Sequence, residues 1–185
     1  MRLRPGVLFF NRLIGAHWEL WVVENYSDPA TAQRTPTGNL MYQAKYRGDF
    51  VASQQLGKRL AQTVRALTAT RSSFSDIQAV CAVPYFGVKS PFSVPHLLAS
   101  SIAEALNVPD HSKLVCKVRD TASVKGAPSA VFDPAQFEAN WEALERRVLL
   151  VDDVYRTGGT LASLAKALQR SNVIPVAGVA AVRAT

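Results

Sequence analysis

The sequence predicts an α/β protein: a parallel central sheet flanked by helices, with a small N-terminal β hood. Three observations predict this. From residue 50 onward, short apolar runs alternate with stretches of helical period, as expected of strands buried on both faces and covered by helices. Hydrophobic residues make up 48% of 185 residues, enough for a single domain with a full-sized core and too many for a disordered chain. The run Val148 to Val151 ends in Asp152-Asp153, and Thr157-Gly158-Gly159-Thr160 then precedes a helical pattern, placing a buried strand, a tight turn and a helix N-terminus in succession.

In chain order, residues 7–47 read as the β hood. Val7 to Phe10, Trp18 to Val23 and Leu40 to Lys45 are rich in β-branched and aromatic residues, and the last two runs flank a turn-rich loop from Ser27 to Gly38. Trp18, Trp21, Tyr26, Tyr42 and Tyr46 cluster here, as a satellite core or as a cover over a ligand. Residues 48–185 read as the remaining core of the same domain. Phe50 to Thr70 is a helix with Leu56, Leu60, Val64 and Leu67 on one face. Ile77 to Phe86 is a buried strand, Pro91 to Leu106 a helix with Leu98, Ile102 and Leu106 stacked, and Lys113 to Val118 a short strand. The polar stretch Arg119 to Ser129 reads as a mobile connection. Asp133-Pro134 suits a helix start, with Phe137, Trp141 and Leu144 as the apolar stripe behind it. Val148 to Val154 is the central strand, Leu161, Leu164, Ala165 and Leu168 are the core face of the next helix, and Val173 to Val182 is a further strand.

Net charge is +7 and the isoelectric point about 9.7, which suits anionic partners such as nucleotides, pyrophosphate or nucleic acid. Cys81 and Cys116 lie in apolar runs without metal-type spacing and read as reduced core residues on neighbouring strands of a cytoplasmic protein. The apolar run at residues 6–10 is too short for a signal segment, and that at 173–182 is too short to span a bilayer, so no membrane insertion is expected. His17, His96 and His111 have no metal-ligand spacing; His96 reads as structural, with a general acid–base role as the alternative.

The junction at 152–160 carries the chemistry. Two adjacent acids can accept hydrogen bonds from a diol, while the turn's backbone N–H groups and the helix dipole can hold a phosphate. A sugar phosphate needs both halves. An ordinary strand–turn–helix junction with Thr157 as N-cap would require neither two acids nor two glycines. Four apolar residues before an acid also fit a Walker-B strand, but no G-x-x-x-x-G-K-[ST] loop occurs in the chain.

Asp152-Asp153-Val154-Tyr155-Arg156-Thr157-Gly158-Gly159-Thr160 resembles the phosphoribosyl-pyrophosphate (PRPP) loop of the type I phosphoribosyltransferases. The segments Ala44 to Asp49, Ala82 to Pro84 and Lys117 to Gly126 resemble the ComF-like competence branch of that family. The resemblance implies that Asp152 and Asp153 hold the ribose hydroxyls and help position Mg²⁺. It further implies that Tyr155, Arg156, Thr157, Gly158, Gly159 and Thr160 wrap the 5′-phosphate. Tyr85, Phe86, Gly87 and Lys89 would form the pyrophosphate loop, and Lys117, Arg119 and Lys125 would add basic contacts beneath a closing loop. Lys89 and Arg119 join the two acids as the catalytic candidates. Implied ligands are PRPP, pyrophosphate or a nucleotide monophosphate, with Mg²⁺ as cofactor. A homodimer is open, as are partners from DNA-uptake or recombination machinery.

The chain departs from the family in three places. Competence-type relatives carry Arg-Gly-Phe-Asn near the pyrophosphate loop, where this chain has Val88-Lys89-Ser90-Pro91-Phe92-Ser93. Purine-salvage members carry an acid at the position of Arg156, and arginine cannot serve as a proton acceptor. No cysteine precedes Cys81, so the zinc segment of many competence-type relatives is not expected. Two functions stay open: phosphoribosyl transfer to an unidentified acceptor, and a non-catalytic PRPP- or nucleotide-binding accessory role linked to DNA uptake or recombination.

Overall fold

The computed structural model describes residues 7–10 (backbone), 18–85, 92–118 and 133–184. Its centre is a five-stranded sheet in the order β1 (Val7–Phe10), β2 (Glu19–Asn25), β7 (Ile174–Arg183), β6 (Arg147–Tyr155), β3 (Ala79–Ala82). The last four are mutually parallel, and β1 runs antiparallel along the β2 edge. Beyond β3, Val80 N–H donates to Pro109 O (3.0 Å) and His111 N–H to Val80 O (2.9 Å), so residues 109–111 cover that edge.

Strand alternation sends side chains to two cores. Leu149 and Val151 of β6 pack with Val80 and Ala82 beneath α1 (Pro36–Tyr46), α2 (Phe50–Thr70) and α3 (Val94–Leu106). Val148 and Leu150 face the opposite layer with Leu161, Leu164 and Leu168 of α4 (Gly159–Arg170). The predicted stripes hold for α2, whose Leu56, Leu60, Val64 and Leu67 are all buried, and for Leu98 and Ile102 of α3. Asp49 caps α2 by accepting the Ala52 N–H at 3.0 Å. Among the described residues, no helix is long and apolar enough to cross a membrane.

The α/β class holds, while the N-terminal region differs from a separate β hood. Leu20 and Val22 are fully or almost fully buried and β2 pairs in parallel with β7, so this strand extends the main sheet. Leu40 to Lys45 forms the second half of helix α1 and not a strand. Thr35 caps this helix by accepting the Gly38 N–H at 3.0 Å, Pro36 occupies its first position, and Met41 and Ala44 are buried at helical spacing. These start signals sit inside the stretch that composition marked as loop.

Two further expectations change. Asp133 and Pro134 do start a helical turn, but it is the single 3₁₀ turn Pro134–Gln136, which leads directly into strand β5 (Phe137–Ala139), antiparallel to β4 (Val115–Lys117), so no α-helix follows and Lys117 lies outside the parallel sheet. Flanking bonds from Val118 N–H to Gln136 O (2.8 Å) and Asn140 N–H to Leu114 O (2.8 Å) extend the ribbon. Phe137 and Trp141 are buried, but Leu144 is 90% exposed, which removes it from the predicted stripe. Cys81 is buried in the main sheet, whereas Cys116 is exposed on the ribbon. The cysteines are therefore not neighbours in one core. Burial also pushes the Cys81 thiol far above its ordinary value. In an Ellman titration the native protein should release one equivalent of reporter from Cys116, and the denatured protein two. Two fast-reacting thiols in the native state would contradict the burial of Cys81.

Candidate functional site

Parallel strands place all their carboxyl ends on one edge of the sheet, where ligands of such folds gather. At that edge β6 reaches Asp152 and Asp153, lying between β7 and the end of β3. Alternation carries the two carboxylates toward opposite faces of the sheet. Asp152 Oδ1 accepts the backbone N–H of Asp153 at 2.8 Å. Asp153 is buried at 7% exposure, and its Oδ2 accepts a hydrogen bond from Lys45 Nζ at 2.6 Å.

Lys45 was missed as a site residue because its run was read as a strand of the hood. In the last turn of α1 its side chain extends over the sheet edge to Asp153. Its presence within the Ala44 to Asp49 segment was the available signal. Burial pulls the Lys45 ammonium toward its neutral form. The charge and hydrogen bond of Asp153, together with the charge of Asp152, outweigh this and hold its pKa above the ordinary lysine value. Asp152 remains partly accessible, yet its carboxyl is surrounded by protein. That desolvation, and then the negative charge of Asp153, push its pKa up to about 8, against the Asp153 N–H and Lys45.

Past Tyr155 the chain turns through exposed Arg156 and Thr157 to Gly158, whose φ of 79° is left-handed and suits glycine. Gly158, not Thr157, is the N-cap of α4; it offers no side-chain cap, and Gly158 and Gly159 are buried beside exposed Thr160. The first turn of α4 thus begins at the same end of β6 as the two acids, with small residues that allow a close approach to its amides.

Tyr85 follows β3 and is 46% exposed; Val83 N–H donates to Val151 O (2.8 Å), fastening this exit beside the acids. Phe86, Gly87 and Lys89 lie outside the described residues, as do Arg119, Lys125 and the connection Arg119 to Ser129. The structure thus brings together Asp152, Asp153, Tyr155 and the 156–160 turn, with Tyr85 on the adjacent strand exit. Lys117 ends β4 in the ribbon packed over α4. His96 Nδ1 bonds with Ser93 Oγ (2.7 Å) at the start of α3, and burial pulls its pKa below the ordinary histidine value.

Mg²⁺ is commonly held by one or two carboxylates plus ligand phosphates. Here Asp153 already carries a lysine ammonium, and the described residues hold no group of three His, Cys, Asp or Glu able to take a metal ion. They do not fit a divalent ion held by the acidic pair alone.

No protein-family profile matches the chain, and no curated protein matches it. Among solved structures, the chain is similar to UMP synthase of Leishmania donovani at 16% identity, over 86% of this chain and 28% of that one, with a TM-score of 0.45. A likeness of that degree supports no statement about the activity of this chain.

Proposed function

We propose that the protein binds PRPP at the 152–160 junction and transfers its phosphoribosyl group to an acceptor, as a type I phosphoribosyltransferase of the ComF-like branch. The observation supporting this reading is the placement of two acids at the carboxyl end of the central parallel strand, directly before a left-handed glycine turn and the open N-terminus of α4. Asp152 and Asp153 accept the ribose hydroxyls. The amides of residues 158–160, with the Thr157 and Thr160 hydroxyls and Arg156, receive the 5′-phosphate. In the reaction the bond from ribose C1 to pyrophosphate breaks, a bond from C1 to the acceptor nucleophile forms, and the acceptor's proton is released. Holding both ends of the ribose phosphate fixes C1 for that displacement. In this reading the charge of the departing pyrophosphate would be neutralised by a Mg²⁺ ion brought with the ligand, while the protein's own part is to hold the ribose hydroxyls and the 5′-phosphate.

Calorimetric titration with PRPP, with and without Mg²⁺, tests the reading beside an Asp152→Asn/Asp153→Asn double variant. Loss of the hydrogen bond to the lysine-paired Asp153 (about 1.5–3 kcal/mol) and of one to Asp152 (about 0.5–1.5 kcal/mol) implies binding weaker by roughly thirtyfold or more in the variant. Binding without pyrophosphate release across an acceptor panel would favour the accessory role. No binding by the wild type at millimolar PRPP would overturn the proposal.

A further inference from the structure

Lys45 is held in place by the fold. At the start of its helix, Thr35 Oγ1 donates to Asn25 O (2.6 Å), the Thr37 N–H donates to Glu24 Oε2 (3.0 Å), and Arg59 Nη1 donates to Thr37 Oγ1 (2.8 Å). At its end, the N–H groups of Arg47 and Asp49 both reach Gln43 O at 3.1 Å. Met41 and Ala44 are fully buried between these ends. Lys45 therefore projects from a helix fastened at both termini. Its side chain is 31% exposed, while that of its partner Asp153 is 10% exposed, so the ion pair is largely shielded from solvent. An ammonium is a compact point charge, and here it engages Asp153 Oδ2 at 2.6 Å, an oxygen that a small cation would otherwise use.

We propose that Lys45 is the built-in cation of the acidic pair: its ammonium stands where a divalent ion would engage Asp153, so the ligand-free protein takes no such ion there. This deepens the phosphoribosyl reading, on which its functional meaning rests. Lys45 acts as a positioning residue, fixing Asp153 Oδ2 and leaving Asp153 Oδ1 and Asp152 Oδ2 for hydroxyl groups, since Asp152 Oδ1 accepts the Asp153 N–H. Any divalent ion at the site then enters with the phosphates of the ligand.

The test measures Mn²⁺ uptake by the ligand-free protein, from the loss of the free Mn²⁺ spin-resonance signal, in phosphate-free buffer. Wild type and Lys45→Arg should leave Mn²⁺ free up to about 1 mM, whereas Lys45→Met should take up one ion at least tenfold (roughly) more tightly, through the Asp153 carboxylate that the lysine no longer covers. Adding Asp153→Asn to Lys45→Met should abolish that uptake. Lys45→Gln is read in the same way if the methionine variant fails to fold by circular dichroism. Tight uptake of one ion by the wild type that Asp153→Asn removes would overturn the proposal, as would a folded Lys45→Met or Lys45→Gln protein that gains none. No PRPP is present in this experiment, so its outcome is separate from that of the PRPP titration.

Discussion

Gly38→Ala is expected to destabilise the protein by about 1–3 kcal/mol, the usual range for forcing extra atoms into packed structure. On an exposed helix the same substitution would stabilise, by about 1 kcal/mol of helix propensity. Here the steric effect wins. A methyl at Gly38 would fall on the carbonyl oxygen of Tyr26, deep inside van der Waals contact, and 2.8 Å from the carbonyl carbon. The obstacle is backbone and has little room to yield: the Tyr26 N–H donates to Arg183 O (2.7 Å), and Tyr26 O receives the Thr35 N–H (3.2 Å). Relief requires α1 to lift from the edge of β2, which would also carry Lys45 away from Asp153. Urea unfolding should therefore show a lower midpoint, and PRPP affinity should fall with it. A variant as stable as wild type would contradict the close seating of α1.

The site was legible where its parts are contiguous in sequence. An apolar run, two acids, two glycines and a helical period from Leu161 to Leu168 each declare a local structure, and β6, the turn and α4 lie where they were expected. Lys45 was not legible as a partner because it meets Asp153 across 108 residues of chain, and local composition had assigned its run to a strand. Residues Leu40 to Tyr46 contain Leu, Met and two Tyr, which suit either element; the Thr35-Pro36 start signal and the burial of Met41 and Ala44 decide for a helix. The same limit applies to β5. Asp133-Pro134 does cap a turn, Asp133 Oδ1 accepting the Ala135 N–H at 3.0 Å, but pairing with the distant β4 overrides continuation into a helix.

Asp152→Asn is expected to change the pH dependence of stability while weakening ligand binding. An unfolded aspartic acid loses its proton near pH 4. In the folded protein, desolvation and the charge of Asp153 keep the proton on Asp152 up to about pH 8. Between these values the folded state binds more protons than the unfolded state, so stability falls as pH rises through the interval. The contribution of the neutral acid is fully present below pH 4 and is lost as the pH passes the folded value. Asparagine matches the neutral acid in size, its Oδ1 can still accept the Asp153 N–H, and it has no charge to acquire. Denaturant unfolding at pH 5, 7 and 9, in buffer containing EDTA, should show the variant gaining on wild type as pH rises, by about 0.5–2 kcal/mol at pH 9. Parallel pH profiles would show that Asp152 is no more costly to ionise than a surface acid. A widening gap would identify a carboxylate kept at the expense of stability, as expected of a group retained for the ligand it binds.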